Sequence, residues 1–89
     1  MFPFQEQIIS DNVRLRTFEP SVSDDELVWH RDVSRRTVKV VESSGWYFQF
    51  DDELPIPLAQ GDVIEIPEKK WHRVIRRRNS GKLIVEITE

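Results

Sequence analysis

Chain-breaking residues recur so often along this sequence that no long regular element fits between them. Pro20, the stretch Ser21 to Asp25, Ser43-Ser44-Gly45, Asp51-Asp52, Pro55, Pro57, Gly61, Pro67 and Asn79-Ser80-Gly81 punctuate the chain at short intervals. The runs between them are Val13 to Phe18, Leu27 to Arg31, Arg36 to Glu42, Trp46 to Phe50, Val63 to Ile66, Trp71 to Arg76 and Lys82 to Thr88. They are rich in β-branched and aromatic residues, which suit a pleated surface and read as strands. No window holds capped helical spacing, and the acidic stretch Ser21 to Glu26 offers a single turn at most. Regularly spaced short strands imply an all-β fold, a small antiparallel barrel or jelly roll.

The 89 residues allow one domain, taken as residues 1–89. Three Trp and five Phe exceed what a disordered tail carries, and 33% charged residues leave no membrane span. Thirteen basic against sixteen acidic residues give a net charge of −3, so bulk electrostatics do not attract phosphate. The basic run Lys69-Lys70, Arg73, Arg76-Arg77-Arg78 is opposed by Asp51-Asp52-Glu53, Asp62, Glu65 and Glu68 and reads as a solvated edge. Nucleic acid and membrane are therefore not expected partners; a small molecule is. The absence of Cys excludes disulfides, a thiolate zinc site and a cysteine nucleophile, and leaves His and carboxylate for any metal. Met1 to Glu6 lacks the basic and apolar regions of a secretory signal, so a cytoplasmic location is expected. Small size without disulfides, with bulky Trp29 and Tyr47 on outward faces, makes a homodimer the expected state.

Period-two alternation sorts the side chains by face. His30 and Asp32 converge on one face; Arg36, Val38 and Val40 share another, as do Trp46, Phe48 and Phe50, and His72, Val74 and Arg76. The apolar neighbours mark these as interior faces. The chain's two histidines thus both point inward, and a closed barrel would bring them together.

At this point the residues resemble the cupin superfamily. The segment from Gly61 through Pro67 to His72 reproduces the Gly, Pro and His of the second cupin motif at the family's spacing, with Lys69 at the inner Gly. In the first motif His30 matches the leading His, Asp32 stands where the second His belongs, and Arg36 stands where the Glu belongs. The resemblance covers Leu27 to Val74 and implies a cupin-like double-stranded β-helix with its site inside the barrel mouth. Members of that family carry a divalent metal on three His and one Glu, a set that Arg36 cannot complete.

What remains is His30, Asp32 and His72, the composition of a two-His-one-carboxylate triad, suited to iron, manganese, nickel or zinc. With these as metal ligands and Arg36 and Gln49 near the substrate, the chain reads as a small-molecule oxygenase or isomerase. The alternative is a metal-free cupin binding a small ligand or a protein partner, in which Asp32 merely pairs with Arg36. There the fixed positive charge repels any cation. A sugar-modifying enzyme with a His general base is a third reading, weakened by the outward placement of the lone Tyr47.

Overall fold

The computed structural model describes residues 2–89. Its strands are β1 (Gln5–Ser10), β2 (Val13–Phe18), β3 (Arg36–Ser43), β4 (Trp46–Phe50), β5 (Ile56–Pro57), β6 (Val63–Ile66), β7 (His72–Arg76) and β8 (Leu83–Thr88). They form a five-stranded sheet in the order β1-β2-β8-β3-β6 and a three-stranded sheet in the order β5-β4-β7. Every strand pair is antiparallel, so the fold is the all-β double-layered jelly roll expected. Among the described residues no helix is long and apolar enough to cross a membrane.

The core lies between the two sheets and follows from the period-two pattern. On β8, Leu83, Val85 and Ile87 are buried and the residues between them are not. They meet Val40 of β3 and Ile66 of β6 on one side, and Trp46 and Phe48 of β4 on the other. Each large apolar side chain placed there contributes about 1.5 to 3 kcal/mol. Trp46 is only 1% exposed, and its indole N–H donates to the Gly81 carbonyl at 2.9 Å, so its own polar group is satisfied on burial. Phe50 packs against this cluster as a half-buried residue.

Tight turns set the register. Gly61 has φ +90°, a conformation that a side chain disfavours, and its N–H donates to Val40 O at 2.8 Å. That bond docks the Gly61 turn onto β3 and starts β6. Between β6 and β7 the chain turns through Pro67 to Trp71, where Lys69 adopts the left-handed φ of 59°. This is the position at which the cupin pattern carries glycine.

Three elements differ from the sequence expectation. The run Leu27 to Arg31 is not a strand. A 3-10 turn, Asp24–Glu26, capped by Ser23 Oγ, occupies the acidic stretch, and the chain then reaches β7 at His30 alone. Val28 is 60% exposed, and the pairing does not extend into a ladder beyond that single bridge. β1 went unexpected because its only apolar residues, Ile8 and Ile9, are adjacent rather than alternating among polar ones, and all six residues are exposed; its backbone pairing with β2 defines it. β5 was likewise not among the expected runs: it is two residues long and one of them is Pro57, which reads as a breaker.

Candidate metal centre

His30 and His72 face each other directly as an isolated antiparallel bridge. His30 N–H donates to His72 O at 3.0 Å, and His72 N–H to His30 O at 2.9 Å. Directly opposed residues of one ladder project to the same side, and the two imidazole centroids are 4.2 Å apart. The histidines therefore meet as cross-strand neighbours within one sheet, not across the barrel. Asp32, two residues on, joins them: one donor atom from each of His30, Asp32 and His72 lies within 4.8 Å of the others. Its own backbone is held by Lys69, whose N–H donates to Asp32 O at 2.6 Å.

The tautomer of each ring follows from its backbone partner. His72 Nδ1 lies 2.8 Å from Lys70 O and His30 Nδ1 lies 3.2 Å from Val28 O. A carbonyl only accepts, so each Nδ1 carries a proton, and the neutral form of each ring is the tautomer that presents the Nε2 lone pair. For His72 neutrality is reinforced, since burial pushes its pKa below the usual imidazole value, against the raising effect of the Lys70 bond. Phe48 stacks on its ring, with centroids 5.7 Å apart.

Asp32 divides its two oxygens. Oδ1 lies 3.2 Å from Arg36 Nη1. Oδ2 is shut off from solvent and accepts no hydrogen bond, while His72 Nε2 stands 3.4 Å away. Asp32 Oδ2, a buried acceptor with no donor, thus faces Nε2 of the buried His72 ring, whose lowered pKa disfavours a proton there, and a cation between them would satisfy the oxygen. Arg36 does not supply that cation. Its Nε is 2.6 Å from Glu89 Oε1, a close charge contact in which the N–H is not aligned for a hydrogen bond. Two carboxylates therefore share the guanidinium charge.

Arg36 also lines the cavity of about 420 Å³ enclosed by the sheets, together with all three candidate ligands. Gln49 does not. Its amide donates to Glu53 O at 3.0 Å, and its oxygen accepts from Arg73 Nε at 3.0 Å. Outward-facing Trp29 is covered on one side by the Arg73 guanidinium, 4.4 Å from the ring centroid. Glu89 was missed in the sequence, although a signal was present: Leu83, Val85, Ile87 and Glu89 continue one alternation, and pairing Thr37 with Thr88 brings Glu89 beside Arg36.

No protein-family model and no curated protein matches the sequence. Solved structures do. A cupin-like protein from Thermotoga maritima superposes with a TM-score of 0.68 at 19% identity, over 96% of this chain and 65% of that one. The DMSP lyase DddQ from Ruegeria pomeroyi gives 0.71 at 12% identity, over 98% of this chain and 47% of that one. The iron(II) form of HppE in complex with substrate gives 0.68 at 9% identity, over 97% and 52%. This chain spans less than two thirds of the length of each of the three, and what they share with it is the fold.

Proposed function

We propose that this chain, which has a cupin fold, holds a divalent transition-metal ion on His30 Nε2, Asp32 Oδ2 and His72 Nε2 and acts on a small molecule in the barrel, as an oxygenase or an isomerase. The observation that carries the reading is Asp32 Oδ2, a buried oxygen without a hydrogen-bond donor, set 3.4 Å from Nε2 of the buried His72 ring. Imidazole and carboxylate donors together suit iron, manganese, nickel or zinc. Backbone carbonyls fix both tautomers and Arg36 fixes the free oxygen of Asp32, the outer support that ligating groups need. When bound, the ion supplies a Lewis-acidic centre with coordination positions to spare. The apolar walls exclude water, and His30, exposed at the cavity's edge, is where a small molecule enters.

The Asp32–Arg36 contact favours a second reading, a metal-free ligand-binding module. Metal content after exposure to iron(II), manganese, nickel and zinc, followed by gel filtration, separates the two. The proposal expects one ion retained per chain, and its loss in His72→Ala. Retention of full metal content by His72→Ala, or no uptake of any of the four ions by the wild type, leaves the binding module in its place.

A further inference from the structure

The charges around the cavity and the chemistry of its walls restrict what can sit beside the ion. The charged lining residues are Arg16, Glu26, Arg31, Asp32 and Arg36. Two of the arginines are further matched from outside the lining, Arg16 by Glu6 at 2.7 Å and Arg36 by Glu89 at 2.6 Å. Three arginines then stand against four carboxylates. The cavity with neutral histidines carries one excess negative charge, which a divalent ion converts to one excess positive charge. A single anionic group on the incoming molecule cancels it; a second one would be left uncompensated in a low-dielectric interior.

Arg31 is exposed, its guanidinium turned over the Trp71 ring at 5.0 Å. Glu26 lies on the 3-10 turn that buries no residue, so the two sit at the rim and the deeper cavity offers such a molecule nothing polar. Beyond the cluster at His30, Asp32, Arg36 and His72, the interior walls are Val38, Val40, Phe48, Val74, Val85 and Ile87 with their apolar neighbours. A second polar end lodged there would lose its water without gaining a partner. Arg16 does not provide one, because its guanidinium is taken by Glu6 and lies 4.2 Å over the Phe4 ring.

We infer that the cavity takes an amphiphilic monoanion, an alkyl monocarboxylate, with its carboxylate beside the ion and its apolar body between the two sheets. The inference rests on the metal reading above and adds to it the charge and polarity of the ligand. Calorimetric titration of nickel(II)-loaded protein with octanoate tests it. Saturable binding is expected, tighter by about tenfold or more than to metal-free protein, and tighter than binding of 1-octanol, which lacks the charge, or suberate, which has a second one. Ile64→Phe, which fills the cavity from β6, a strand that carries none of the ligands, is expected to keep its nickel and lose octanoate. Val85→Phe on β8 serves the same purpose should Ile64→Phe fail to fold. Wild-type protein that takes up no nickel overturns the metal reading and the inference with it. Protein that takes up nickel yet prefers suberate, or a folded cavity-filled variant that binds octanoate undiminished, overturns the inference alone. Equal octanoate affinity with and without nickel overturns it too, because the carboxylate is then not beside the ion.

Discussion

Glu89 Oε1 lies 2.6 Å from Arg36 Nε, so the last side chain of the β8 alternation holds the guanidinium that in turn holds Asp32. Without Glu89 the full positive charge of Arg36 would bear on Asp32 and on any cation beside it. Glu89→Gln is therefore expected to weaken metal affinity by about ten- to a hundredfold, the usual effect of removing an outer-layer partner. Competition against a chromophoric chelator measures this. Unchanged affinity would mean that Glu89 only neutralises Arg36 in the fold.

The buried, neutral His72 makes the metal-free protein sensitive to mild acid. Its folded pKa lies below the ordinary 6.5, so below that pH the unfolded chain binds a proton that the folded one refuses. This contribution to stability is complete above pH 6.5, declines as pH falls from there, and levels off below the lowered folded value. Asp52 and Glu65 have lowered pKa values, Asp52 held chiefly by its bond from Lys70 and Glu65 by its bond from Thr37. What they add is lost only in the more acidic carboxylate range. Urea midpoints are expected to drop between about pH 7.5 and about pH 5, and the drop should shrink in His72→Gln. An identical slope in that variant would assign the effect to other groups.

Lys69 occupies a left-handed conformation, φ 59°, that only glycine adopts freely. Lys69→Gly is expected to relieve that strain and stabilise the protein by about 1 kcal/mol, after allowing for the greater freedom of glycine in the unfolded chain. The shift in urea midpoint at constant m-value reads it out. A destabilised variant would show that the lysine side chain contributes more than its backbone costs.

Phe48 is 3% exposed and stacks on His72. Its truncation to alanine opens the core beneath a candidate ligand and should cost about 3 to 5 kcal/mol. That is a large part of the roughly 5 to 15 kcal/mol holding a domain of this kind. Thermal unfolding followed by tryptophan fluorescence suits the test, because Trp46 sits in the same cluster. A melting temperature equal to wild type would contradict the core assignment.

The fold was legible where burial imposes alternation. Trp46, Phe48 and Phe50, or Val38 and Val40, declare their inner face through residue type alone. β1 carries no such record, since a strand exposed along its whole length selects for nothing but backbone pairing. The three candidate ligands were legible from the spacing of His30, Asp32 and His72, but the way they meet was not. A barrel closing over two distant histidines was the expectation, and a single backbone bridge is what joins them. The environment of Arg36 was illegible for a related reason. Whether an arginine repels a cation depends on what else it touches, and Glu89 becomes its neighbour only through the β3–β8 register.

The bridge between His30 and His72 ties the chemistry of the site to the correctness of the fold. A slip of one residue in that pairing would set Trp29 or Arg31 against His72 and carry the His30 imidazole to the opposite side of the sheet. A misregistered chain could keep most of its apolar contacts and still be unable to assemble the three donors. An ion added during refolding would accordingly select the correctly paired molecules from the population, acting as a proofreader of strand alignment as well as a reagent.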